Sequence, residues 1–180
     1  MNAVEPIDVG DLSTENCPIG RTLEVIGAPW TLLLMREAFT GARRFTEFQQ
    51  GLGVSRALLS RRLNLLVGHG ILERIAYQDP GERSRTEYRL TRKGRDLYPV
   101  IAALRAWGEA YVLDDDGPPL IVRHNRCGGT VDVSLICEHG HKVDATQIRP
   151  EPGPGARPHP GRRRPSSRPK RPPAAPNSPQ

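Results

Sequence analysis

The chain has no apolar run approaching the ~20 residues that cross a bilayer. Its densest one, Leu32-Leu33-Leu34-Met35, is followed at once by Arg36-Glu37. The first sixteen residues, MNAVEPIDVGDLSTEN, offer neither the basic start nor the hydrophobic stretch of a secretory leader. Cysteine is scarce. Three residues, an odd number, argue against a disulfide framework and fit a reducing cytosol. There is no glycine-rich phosphate loop after a strand, no nucleophile elbow and no paired-carboxylate arrangement. No internal repeat signals an array either. These absences point away from a membrane-spanning protein, a secreted disulfide scaffold and an enzyme.

What is present is unevenly spread. Of the 180 residues, Pro and Gly make up 36, and eleven of the prolines lie between Pro150 and Gln180. That stretch has no aliphatic residue larger than alanine, so it buries too little surface to offset its chain entropy and is expected to be disordered. It carries Arg157, Arg162, Arg163, Arg164, Arg168, Lys170 and Arg171 against Glu151 alone, a net +6. The whole chain is also +6, so residues 1–149 sum to zero. Within that neutral body, Arg43–Arg95 holds twelve basic residues against five acidic ones.

The centre of this basic stretch is Val54–Gly70, VSRALLSRRLNLLVGHG. Ser55 is placed to cap a helix, its hydroxyl accepting from an otherwise orphaned amide. At ~100° per residue, Leu58, Leu59, Leu63, Leu65 and Leu66 fall on one arc, and Arg56, Ala57, Ser60, Arg61 and Asn64 on the other. Gly68 and Gly70 end the run. Upstream, FTEFQQGLG (Phe45–Gly53) reads as a short helix, with Thr46 and Gln49 at capping-box spacing and Gly51 and Gly53 breaking the chain. Downstream, Ile71–Tyr77 alternates as a half-buried strand does, Asp79-Pro80-Gly81 is a turn signal, and Arg85–Leu90 returns as a second strand. Helix, turn, helix and hairpin in that order describe a winged helix, whose second helix enters the major groove of DNA.

Further motifs surround this unit. Cys17-Pro18 precedes Gly27-Ala28-Pro29-Trp30-Thr31-Leu32-Leu33. Arg44-Phe45-x-Glu47-Phe48 and Ser55-x-x-Leu58-Leu59-Ser60-x-Arg62-Leu63 follow, then Arg85-x-Glu87-Tyr88-x-Leu90-Thr91-x-x-Gly94. In order and spacing, from about Cys17 to Val112, these residues resemble the HxlR-type winged helix-turn-helix transcriptional regulators, relatives of the MarR group. Leu65 departs from the pattern, standing where a polar residue is expected. The resemblance is much weaker after Val112.

The expected fold is mainly α with a small β wing. Residues 1–16 form a flexible N-terminus and 17–113 the DNA-binding and dimerisation domain. Residues 114–119 are a linker, 120–149 a small β appendage and 150–180 the disordered tail. Within 17–113, Pro18 starts a helix that stops at Gly27. Pro29 opens a second, Trp30–Phe39, with Trp30, Leu33, Leu34 and Phe39 facing the core. Arg43-Arg44-Phe45 is a short strand or turn. Thr91 caps a long helical segment, Arg92–Val112, in which Pro99 is expected to give a kink or a short break. Its stripe of Leu97, Val100, Ile101, Leu104, Trp107 and Tyr111 is expected to form a dimer contact with the helix at Pro18, the alternative being packing within one subunit.

For function, this reading gives a cytoplasmic, nucleoid-associated homodimer that binds a palindromic promoter site in double-stranded DNA. Arg56, Ala57, Ser60, Arg61 and Asn64 are the candidates for base edges. Arg43, Arg44, Ser55, Arg83 and Arg85 are those for phosphate, fixing register without reading sequence. Arg62, nearer the leucine arc, is expected to pair with a carboxylate or carbonyl. Cys17, at a helix start where a thiolate is favoured, is a candidate redox sensor. The resemblance implies the same, since several family members sense oxidants or electrophiles there. The other reading is a small packed residue near the dimer seam. A small molecule or electrophile is the implied effector. Cys127, Cys137, His139 and His141, with His124 nearby, have zinc-ligand chemistry, but their spacing is poor for two ligand pairs. The favoured reading is a β hairpin with small buried thiols and exposed histidines, and no other cofactor is implied. The competing function is an architectural protein that binds DNA without sequence preference through its basic tail.

Overall fold

The computed structural model describes residues 9–78, 80–81 and 83–161. They divide into two compact units, Pro18–Ile148 and a smaller one made of residues 9–17 with 149–161.

In the larger unit, α1 (Pro18–Ile26) and α2 (Thr31–Phe39) precede α3 (Phe45–Leu52) and α4 (Arg56–Gly68). A hairpin of β1 (Leu72–Tyr77) and β2 (Arg85–Leu90) follows, then α5 (Arg92–Arg95) and α6 (Tyr98–Tyr111). The hairpin is antiparallel with Leu72 opposite Leu90 and Tyr77 opposite Arg85. It gains a third partner where Arg44 bridges Glu87 and the Tyr88 amide donates to the Arg43 carbonyl at 2.8 Å. The expected short strand before the helix-turn-helix is thus a single bridge that ties α3 to the wing.

The core lies between α2, α3, α4 and the hairpin, around Leu34, Met35, Phe48, Leu59, Leu63 and Leu66. Leu58 and Leu65 of the predicted leucine arc are half-buried at its edge. Phe48 and Tyr88 meet edge to face with ring centroids 6.3 Å apart, joining α3 to β2.

Three local expectations need correcting. First, α2 starts at Thr31, because Trp30 takes a left-handed conformation with φ 73°. The buried face is Thr31, Leu34, Met35 and Ala38, while Trp30 and Leu33 are each 41% exposed. Second, the carboxylate at the start of α3 is Glu47. Its Oε2 accepts from the amides of Arg43 at 2.7 Å and Arg44 at 2.9 Å. The helix therefore begins one residue before Thr46, and the Thr46–Gln49 spacing caps nothing. Third, of the kink or short break expected in Arg92–Val112 the structure has the break, but not at the proline. The break falls at Asp96-Leu97, and Pro99 sits in the first turn of α6, where a missing amide removes no helical bond.

Thr91 caps α5 as expected, accepting from the Gly94 amide at 3.1 Å and donating to the Gly70 carbonyl at 2.6 Å. Beyond the 114–119 segment, the expected β appendage holds little strand. Arg123 bridges Thr130, and β3 (Leu135–Ile136) pairs with β4 (Lys142–Val143).

In the smaller unit, the Ser13 amide donates to the Arg157 carbonyl and the His159 amide to the Asp11 carbonyl, each at 2.7 Å. Parts of the segments expected to be a flexible N-terminus and a disordered tail therefore bond to one another. Residues 1–8 and 162–180, with most of the tail's arginines, lie outside the described residues.

Candidate nucleic-acid interface

Ser55 Oγ accepts from the Leu58 amide at 3.3 Å, fixing the start of α4. Leu59, Leu63 and Leu66 anchor the helix by burial, so its opposite side has to face outward. There Arg56, Ala57, Ser60, Arg61 and Asn64 are all exposed, as is Ser55. The structure thus places the five base-edge candidates on one open face of one helix.

Two of the five are held by neighbours that the sequence reading did not single out. The Arg56 guanidinium lies 5.1 Å from the centre of the Phe45 ring at the start of α3. Asn64 Oδ1 accepts from Arg74 Nη2 of β1 at 2.5 Å. That bond uses one of two lone pairs and leaves the amide donors of Asn64 available. Arg74 was legible only as one of many basic residues. Its role needs the wing to fold back against α4, which no local pattern encodes.

The phosphate candidates separate. Arg83 and Arg85 are exposed beside the wing turn, in which Gly81 has φ 79°. Arg44 is half-buried and stacks on Tyr77 of β1, its guanidinium carbon 4.6 Å from the ring centre. Arg43 turns inward, with Nη1 donating to the Ala38 carbonyl at 3.3 Å. Arg62 is half-buried, as its place near the leucine arc implies, but its buried Nε has no partner among the described residues. The expected carboxylate or carbonyl for that nitrogen is not there.

Backbone amides lower the pKa of Glu47: those of Arg44 and then Arg43 stabilise its carboxylate, with the two guanidinium charges adding less. It remains ionised through the physiological range, so one negative charge sits at the edge of the basic face. Its task there is to hold the entry to α3.

Cys17 is a half-buried free thiol immediately before α1, its amide donating to the Thr14 carbonyl at 3.0 Å. The appendage's thiols pair with histidine separately. His124 Nδ1 is 3.1 Å from Cys127 Sγ, and Cys137 Sγ is 3.6 Å from His141 Nδ1. His139 is largely exposed beside Glu138. Among the described residues no three His, Cys, Asp or Glu side chains gather as a metal site. The candidate zinc ligands are therefore not brought together. No helix among the described residues is long and apolar enough to cross a membrane.

A capped helix with a buried leucine side and an open polar side, set between a tight turn and a basic hairpin, defines a winged helix-turn-helix DNA-binding protein. Comparison with known proteins narrows the class. Residues 25–116 match the model of the HxlR-like helix-turn-helix family, and the chain belongs to that family. It is 47% identical over 150 residues to an HTH-type transcriptional regulator of Mycobacterium tuberculosis, covering 82% of this chain and 94% of the relative. It is 34% identical over 106 residues to the HTH-type regulator YdeP of Bacillus subtilis, covering 58% of this chain and 81% of YdeP. Among solved structures, PA1607, described as a candidate transcription factor, superposes with a TM-score of 0.69 at 36% identity. That match covers 76% of this chain and 95% of PA1607. The protein is a DNA-binding transcriptional regulator of the helix-turn-helix type.

Proposed function

We propose that this regulator works in the cytoplasm as a homodimer on a palindromic promoter site. The open polar face of α4 carries the reading: five exposed side chains suited to base edges, on a helix locked from behind by leucines. Arg61 forks onto guanine, Asn64 recognises adenine, and Ala57 touches a thymine methyl. Ser55, Arg44, Arg83 and Arg85 hold phosphates and fix the register. Arg43, whose guanidinium is turned to a carbonyl, contributes to the fold of this edge.

The dimer rests on apolar surface that one chain leaves open. On α6, Leu104 is 49%, Trp107 59% and Tyr111 74% exposed, and on α1, Ile19 is 69% and Leu23 55% exposed. A monomer rarely leaves so much large apolar surface in water. Twofold pairing through these helices sets two copies of α4 about 34–36 Å apart, one turn of DNA. Cys17, next to α1 in the chain, is the residue through which an oxidant or electrophile acts on this assembly.

The test is selection of bound genomic fragments by the purified protein, with and without a thiol oxidant. A shared inverted repeat, recovered in smaller yield after oxidation, supports the reading. Recovery of random duplex removes the sequence-specific part. Unchanged affinity after complete modification of Cys17 removes the sensing part.

A further inference from the structure

α6 also turns an apolar side towards α2, and this side shares Leu104 with the exposed stripe. With α2 and residues 119–122 it borders a half-open cavity of about 570 Å³. The walls are Leu33 and Phe39 of α2, Ile101 and Leu104 of α6, and Leu120 and Val122 of the appendage. Residues 119–122 lie beyond the 25–116 that match the family model, so the wall they supply is not given by the family match. Pockets that take small organic ligands have volumes of roughly 300–1,000 Å³ and apolar walls with a few polar groups. This cavity has those proportions.

Among its polar groups one donor is left over. Arg36 and Arg105 stand on the lining with one carboxylate, Glu109, and Arg36 is ion-paired with Glu37 beside it. Arg105 donates from Nη1 to Glu109 at 2.6 Å and from Nη2 to the Val131 carbonyl at 3.0 Å. Its Nε is also buried and has no partner among the described residues. A buried donor without an acceptor is costly, and an oxygen of a bound anion relieves that cost. From the volume, the apolar walls and this unmatched cationic donor, we propose that the cavity binds a small amphipathic anion. Its ring-sized apolar body lies between α2 and α6, and its acidic head lies at Arg105. In the regulator proposed above this molecule is the effector, so only the purpose of the site, not its existence, rests on that reading.

The full chain is titrated with 1-anilinonaphthalene-8-sulfonate and with its uncharged analogue N-phenyl-1-naphthylamine, followed by probe fluorescence. The proposal expects saturable binding of one sulfonate per chain, about tenfold tighter than the uncharged probe. R105M is expected to bring the sulfonate down to the level of the uncharged probe. L33W, at an exposed wall position that a larger side chain can occupy without disturbing the core, is expected to exclude both. W107S, on the exposed stripe, is expected to change neither. Unsaturable binding overturns the proposal, as does binding lost in W107S and retained in L33W, which places the probe on the open face of α6. Binding that disappears as protein concentration rises also overturns it, since a second chain then covers the cavity. None of these readouts involves DNA, so a failure here is separate from a failure to find an operator.

Discussion

At the scale of single residues, the proposed interface divides into groups expected to read and groups expected to hold. Arg61 is exposed in the middle of the open side of α4, while Arg83 is exposed near the tip of the wing. Replacing Arg61 by alanine is expected to cost ~1–3 kcal/mol against the preferred base at one operator position and to relax preference there. Replacing Arg83 is expected to weaken all duplexes alike and to lower the salt dependence of binding by about one phosphate contact. Titrating both variants against an operator and its single-base changes separates the roles, and the same uniform loss in each would refute the division. Glu47 belongs to the holding groups. Amide hydrogen bonds depress its pKa in the folded protein, so ionised Glu47 contributes stability above about pH 4.5 that fades as pH falls through the lowered value. E47Q is therefore expected to be less stable than the native chain at neutral pH, with the gap closing in acid. Denaturant midpoints measured from pH 7 down to pH 3 check both the sign and the window.

At the scale of elements, the wing is closed by a contact that admits no side chain. Gly94 lies where α5 crosses the start of β1, and a Cβ there stands 2.2 Å from the Ile71 carbonyl oxygen. That neighbour is backbone held by the Thr91 amide, and it cannot swing aside. G94A is expected to cost about 2 kcal/mol or more in chemical denaturation. G68A, with nothing within 4 Å of its Cβ and no positive φ, is expected to be neutral or mildly stabilising. Elements whose partners lie nearby in the chain were legible from sequence. Ser55 and the leucine spacing set α4, alternation set β1 and β2, and Thr91 set the start of α5. The misreadings share a cause. The buried side of α2 depends on the left-handed turn at Trp30, which no periodicity reveals. α5 packs on β2 and on the Ile71 carbonyl, contacts no local pattern reveals, and Pro99 stands in the first turn of the next helix. Arg74, Arg105 and the cavity wall at 119–122 owe their places to contacts between distant segments.

For the whole molecule, charge and apolar surface are both distributed as a groove-binding dimer requires. The basic excess of residues 43–95 coincides with the helix-turn-helix and wing, while residues 1–149 together carry no net charge. Attraction to DNA is thus concentrated at one surface of the larger unit, with a further +6 in the sequence of the tail. If the tail supplies the binding without sequence preference, deleting 151–180 abolishes affinity for any duplex; if α4 and the wing supply it, operator preference stays and only general, salt-sensitive affinity falls. In the proposed dimer two modest contacts become one selective one, because each recognition helix would cover only half of a palindrome. Trp107 and Tyr111, with ring centroids 5.6 Å apart, form the largest exposed aromatic pair on α6. A carboxylate at position 107 would face apolar surface of the second chain at this seam while leaving the buried core untouched. W107E is therefore expected to sediment as a monomer with an unchanged circular dichroism spectrum. It is expected to lose at least tenfold in affinity for a complete inverted repeat and little for an isolated half-site. A dimer that survives the substitution, or equal losses on both duplexes, would place the subunit contact elsewhere than α6.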